Sequence, residues 1–124
     1  MLNAPVLVVP YVDPQAYLRR YSEADKVGSG LGEDLGHWAI PYWFVDGGAA
    51  VMAMLTASEG LGLGALFFGQ FDHEAEVRAA LGVPERLRAV GTVAFGQRSV
   101  RSDPSRSARR GRPAAEYHVH RGRW

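Results

Sequence analysis

Between Gly47 and Ala57 the chain reads GGAAVMAMLTA, and Ala49, Ala50, Val51, Met52, Ala53, Met54, Leu55 and Ala57 leave a helix there apolar nearly all the way round. Such a helix must be covered by protein on both sides. The chain has only 124 residues, a length that fits one domain with one core. Its remaining elements can hardly cover both faces. The second cover is therefore expected from a subunit interface, and a homodimer is the simplest source. Asp46, just before this run, is a plausible N-cap.

The next stretch, GLGLGALFFG from Gly60 to Gly69, has the look of a phosphate-binding glycine loop. A dinucleotide fingerprint needs strand, glycines, then helix, so that the positive helix N-terminus meets the pyrophosphate. Here the order is helix, glycine, strand, and that reading is rejected. Gly60 is expected at the left-handed cap of the helix, with a strand over residues 61–68. Gly62, Gly64 and Gly69 then strip side chains from the strand and its end, which signals something flat or bulky lying against the backbone.

The rest of the chain divides readily. APVLVVPYV (residues 4–12) reads as one short buried strand, and Asp13-Pro14 opens a helix with Ala16, Tyr17, Leu18 and Tyr21 on one face. VGSGLGEDLG holds four glycines in ten residues and is a loop. HWAIPYWFV gathers aromatic rings around Pro41, an interface patch in which His37 and Trp38 stand out. FDHEAEVRAALGVPE reads as a helix capped by Asp72, with Glu74 and Glu76 in its first turn, a stripe of Val77, Ala80 and Leu81, and Gly82 at its end. LRAVGTVAFG (residues 87–96) is a third strand, and residues 97–113 have no periodicity and should run extended over a surface. AEYHVH (residues 115–120) reads as a terminal strand. On such a strand His118 and His120 share a face, but no further ligand accompanies them and no metal site is expected.

Composition narrows the classes. Hydrophobic residues make up 47% and charged residues 22%, ordinary values for a soluble protein. No run approaches the roughly 18 apolar residues of a membrane helix, and the opening residues do not form a signal peptide. The chain reads as cytoplasmic. It has no cysteine, which excludes disulfides, thiolate metal sites and cysteine nucleophiles. The net charge of +1 conceals eight arginines against Asp103 and Glu116 over residues 98–124, a +6 tail on a −5 body. Such a tail calls for an anion: a small phosphate, a nucleic acid or the acidic body itself. Nucleic acid is disfavoured because the body is acidic and the tail carries no aromatics beyond Tyr117 and Trp124.

Taken in order, the Asp-led apolar helix, the GLG turn, the strand, the short helix ending LGVP and the strand ending FG resemble the C-terminal half of the FMN-dependent nitroreductase family. RRGRPAAEYHVHRGRW is similar to the tail of its actinobacterial members, and APVLVVPYV resembles the strand preceding the helix in full-length members. The family's N-terminal Arg-Arg-Ser-x-Arg-like stretch, which holds the FMN phosphate and ribityl chain, has no counterpart. The resemblance implies a shortened α+β sandwich, a mixed sheet with helices packed on it, dimeric and with FMN at the subunit interface. It implies a core over residues 1–97 and an Arg-rich C-terminal extension over residues 98–124 packed on the partner subunit. Phe67, Phe68, Gly69 and Gln70 would lie along the flavin ring, and Arg110 and Arg112 would meet its phosphate. On composition alone the two arginines are a solvated charge run, and Phe67 and Phe68 are packing residues on opposite faces of a strand.

Two functions follow. The first is an FMN-binding oxidoreductase passing electrons from NADH or NADPH through flavin to a nitro compound, quinone or similar acceptor, with no catalytic side-chain acid or base required. The second is a shortened, non-catalytic relative that dimerises and binds flavin weakly or not at all. The resemblance also allows a separate chain to supply the absent N-terminal half.

Overall fold

The computed structural model describes residues 4–99 and 109–122. In chain order it has β1 (Val6–Val8), β2 (Tyr11–Val12), α1 (Pro14–Tyr21), α2 (Tyr42–Gly60), β3 (Leu63–Phe68), α3 (Glu74–Ala80), β4 (Arg88–Ala89) and β5 (Thr92–Gln97). β5 lies between β1 and β3 in one sheet, and β2 pairs with β4 in a second. Helices packed on a sheet make this the expected α+β fold. All three pairings are antiparallel, with Val6 opposite Phe95, Phe67 opposite Val93 and Tyr11 opposite Ala89. The mixed sheet of the sequence reading is, over these residues, made of antiparallel pairs.

Each of the two long apolar runs expected as single strands is broken in two. Residues 4–12 change sheets at Val9-Pro10, where proline has no N–H to give a ladder. Residues 87–96 change sheets at Val90-Gly91, where Gly91 takes a φ of +152°. The breaks face each other, and the Val90 N–H donates to the Pro10 carbonyl at 2.9 Å. β1 is also not the buried strand expected: Val6 is 50% and Leu7 60% exposed, because β1 forms an edge of its sheet.

α1 follows its sequence signals. Pro14 occupies the first turn, and the Asp13 carboxylate accepts from the Gln15 N–H at 3.0 Å. α2 does not. It starts at Tyr42 with Pro41 as its N-cap, so Asp46 lies inside the helix, where it accepts a hydrogen bond from the Tyr17 hydroxyl. The early start brings Trp43 into register with Gly47, Val51 and Ser58, the buried residues of the helix. These recur at close to helical period and form one stripe. At the other end Gly60 is the last helical residue and Gly62, not Gly60, takes the left-handed conformation with φ +70°.

Two further expectations change. Asp72 does not cap α3. It lies in a 3-10 turn, Phe71–His73, that precedes the helix. Glu74 and Glu76 do occupy its first turn, but Ala80 and Leu81 of the expected apolar stripe are exposed. AEYHVH is not a strand: Ala115–Tyr117 form a 3-10 turn, closed by the His118 N–H on the Ala115 carbonyl at 3.0 Å. His118 and His120 therefore do not share a strand face. The extended course expected for residues 97–113, and the placement of Trp124, fall largely outside the described residues.

The core is small. Val93 and Ala94 of β5 are buried with Trp43 and Val51 of α2, while Val45 and Met52 on other sides of α2 stay exposed. Among the described residues the all-apolar helix is thus covered along one stripe. No helix among the described residues is long and apolar enough to cross a membrane.

Gly47 sets how closely α2 approaches the smaller sheet. A Cβ there would lie 2.6 Å from Val90 Cγ2 and 2.8 Å from Val12 Cγ1, whereas a Cβ on Gly48 would meet nothing within 4 Å. Gly48→Ala should stabilise the fold by about 0.5–1 kcal/mol through helix propensity. Gly47→Ala gains the same propensity but overpacks two β-branched side chains at a cost of about 1–3 kcal/mol, and should destabilise on balance. Urea unfolding of the two variants checks the opposite signs.

Candidate functional site

β3 ends at Phe68, and the chain beyond it opens on a cavity of about 180 Å³ lined by Gly69, Gln70, Phe71, Glu74, Ala89, Val90 and Gly91. The floor is the break between β4 and β5. Gly91 is required there: a Cβ would come within 2.5 Å of the Phe67 ring and 2.8 Å of the Phe68 carbonyl. The Phe67 ring consequently lies across Gly91, and Phe68 points to the opposite face of the sheet as strand geometry demands.

Gln70 is buried. Its Nε2 donates to Thr92 Oγ1 at 3.0 Å, and its Oε1, also buried, has no partner. An orphaned acceptor of this kind carries a desolvation cost and marks a place where a donor is missing. The main-chain N–H groups of Gly69, Gln70 and Phe71 likewise find no acceptor among the described residues. Phe71 is unusual in two ways: it is 87% exposed, and its φ is +47°. A bulky residue in the left-handed region costs on the order of 1–2 kcal/mol. Its ring lies over Gly69, 3.0–3.4 Å from where a Cβ would stand.

Glu74 ties α3 to the cavity wall. Its Oε1 accepts from Arg88 Nε at 2.9 Å and from the Ala89 N–H at 3.1 Å, and its Oε2 accepts from an Arg88 terminal nitrogen at 3.2 Å. The Arg88 hydrogen bond, ahead of the opposing effect of burial, holds the Glu74 carboxyl below the usual 4.5. Across α1, Asp13 is held below its usual value mainly by its hydrogen bond from Arg19, and it also lies 3.6 Å from Arg86.

Phe67, Phe68, Gly69 and Gln70 are therefore contiguous at the end of β3; Gly69 and Gln70 line the cavity, and the Phe67 ring and Phe68 carbonyl lie against Gly91 in its floor. Arg110 and Arg112 are not brought to it. Both are exposed, with no ion-pair partner among the described residues. The extension is anchored at its root, where Arg98 pairs with Glu59 near the end of α2. Gly91, Phe71, Glu74 and Thr92 were not singled out as site residues from sequence. Gly91 carried a signal as a glycine in the middle of an apolar β-branched run, and Glu74 one as an acid in the first turn of a helix.

This α+β frame, with its glycine-lined cavity at a strand end, has recognisable relatives. The nitroreductase family model matches residues 1–97, and the chain belongs to that family. The match begins at the first residue and includes the N-terminal part, which overturns the expectation of a resemblance confined to the family's C-terminal half with its N-terminal segment missing. Among solved structures, a Bacteroides thetaiotaomicron VPI-5482 protein, provisionally described as an NADH dehydrogenase/NAD(P)H nitroreductase, aligns with a TM-score of 0.55 at 20% identity, covering 100% of this chain and 76% of that one. That likeness supports the fold. No curated protein matches the sequence significantly.

Glu74 gives a pH test. A carboxylate whose folded pKa is depressed contributes stability above its unfolded pKa and loses it as pH falls through the folded value. The protein should lose stability below pH 4.5 as Glu74 protonates, and Glu74→Gln should be less stable at neutral pH with a flatter decline in acid. Urea midpoints measured across that range check both.

Proposed function

We propose that the chain is a flavoprotein oxidoreductase subunit that binds FMN at the end of β3. The observation that carries this is the run of main-chain N–H groups at Gly69, Gln70 and Phe71 that find no acceptor among the described residues, in a segment that lines the cavity. A planar ring with acceptor atoms along one edge suits such a wall, since glycine lets the main chain approach closely. The family supports an oxidoreductase role in general; FMN, when bound, supplies hydride and electron transfer between NADH or NADPH and a nitro compound, quinone or similar acceptor.

The chain's own part is positional. Gly69, Gln70 and Phe71 present N–H donors to the ring edge, and a donor there stabilises negative charge that develops on it. Phe67 and Phe68 brace the strand from opposite faces. Thr92 fixes the Gln70 amide. Arg110 and Arg112 supply the phosphate contact, a guanidinium task well matched to a phosphate's oxygens. In this reading they reach the phosphate from the extension over residues 98–124, which packs on the partner subunit of a homodimer. The exposed apolar residues of α2, Val45 and Met52 among them, meet the partner.

Purified protein should be yellow, or turn so with added FMN. Changing Arg110 and Arg112 both to alanine should weaken FMN far more than riboflavin, by about 1.5–3 kcal/mol for each charge-assisted contact. Gly69→Val should weaken both flavins alike, since a side chain there meets the Phe71 ring and shifts the main-chain wall on which both flavins would rest. Flavin fluorescence titrations separate these effects; equal losses for FMN and riboflavin in the double-arginine variant exclude the phosphate role.

Sedimentation at micromolar concentration should show a dimer, and truncation after Gly96 should weaken it. A folded monomer would remove the interface role of α2, and an unchanged dimer after truncation would remove that of the extension.

A further inference from the structure

A second cavity lies away from the end of β3. It measures about 430 Å³ and is lined by Tyr21 at the end of α1, by Leu31, His37, Trp38, Ala39 and Ile40 of the connecting segment, and by Tyr42 at the start of α2. That volume lies within the range of small-molecule sites, roughly 300–1,000 Å³. The walls are held open by ring packing. Trp38 meets Tyr21 edge-on at 4.7 Å, Tyr17 at 5.5 Å, and Tyr42 and Trp43 at 6.1 Å each. Its indole N–H is already committed to the Leu31 carbonyl at 2.9 Å. The indole is thus fixed before any ligand arrives, and a preorganised wall lowers the ordering cost of binding.

The polar chemistry of the cavity is directional. His37 Nδ1 lies 3.0 Å from the Gly30 carbonyl. A carbonyl only accepts, so Nδ1 carries the hydrogen, and in the tautomer with that single ring hydrogen Nε2 is an acceptor. Nε2 has no partner among the described residues. Charge argues against an anionic occupant, because the Glu33 carboxylate lies 4.0 Å from the same imidazole and Asp34 follows it. The Lys26 ammonium is placed over the Tyr21 ring at 5.7 Å.

We infer that this cavity binds a neutral, flat arene of one or two rings bearing a single N–H or O–H donor, with Trp38, Tyr21 and Tyr42 packing the rings and His37 Nε2 accepting the hydrogen. The site is separate from the flavin reading and does not depend on it.

Indole and 1-methylindole make the test, since they share a ring system and differ in the donor. Titrated into the full chain and followed by the NMR signals of the Trp38 side chain, indole should bind and 1-methylindole should bind about fivefold more weakly, the worth of one neutral hydrogen bond. His37→Ala should bring the two affinities together by weakening indole. Ile40→Glu, at an exposed position, should abolish binding of both while its thermal unfolding stays cooperative. Saturating FMN should leave indole binding unchanged. The inference is overturned if indole leaves the Trp38 signals unmoved at millimolar concentration, if the parent binds both probes equally, if His37→Ala keeps the discrimination, or if FMN competes with indole.

Discussion

α2 can lie on the smaller sheet only because residue 47 has no side chain. Val12 and Val90 come so close to that point that even a methyl group would collide with them. Much else depends on this contact. It sets how closely α2 approaches β2 and β4, on the same stripe of the helix that buries Trp43. It also presses the helix against the place where both long strands change sheets. Elsewhere in α2 a glycine is only a weakness in helix propensity; at position 47 that weakness is offset by the packing it permits.

How much of this was legible in sequence follows from which signals were local. The start of α1 was clear because Asp13 and Pro14 act on their immediate neighbours. The existence of α2, β3 and α3 was clear from their apolar runs and flanking glycines. The start of α2 was not, because Asp46 is a good N-cap by type and only the tertiary position of Trp43 decides that the helix begins earlier. The division of residues 4–12 and 87–96 was hidden for the same reason. Pro10 and Gly91 each permit a break, but the bond between Pro10 and Val90 that uses both breaks joins residues far apart in the chain. The burial expected of β1 and of Leu81 assumed that apolar residues find cover, and within one chain they do not.

The candidate site shows the same division. Phe67, Phe68, Gly69 and Gln70 were legible because they follow one another, and a strand stripped by glycine already suggests an approaching ring. Glu74 was readable as a residue favoured by the helix dipole; its grip on Arg88 and Ala89 depends on how α3 folds back. Thr92 and Gly91 enter through the antiparallel register of β3 against β5, which sets Phe68 opposite Thr92. Phe71 had no sequence signal at all, since nothing in its type asks for a left-handed backbone.

The paired breaks have an architectural consequence. Where two neighbouring strands bend together and pass from one sheet to the other, they make a corner, as in orthogonally packed β structures. Ala89, Val90 and Gly91 lie at that corner, and they also line the cavity. The hollow is therefore bounded on that side by the main chain of a strand break. Evolution can repaint its rim at the exposed Phe71 without touching that break, whereas a single carbon added at position 91 would drive into the Phe67 ring and the Phe68 carbonyl.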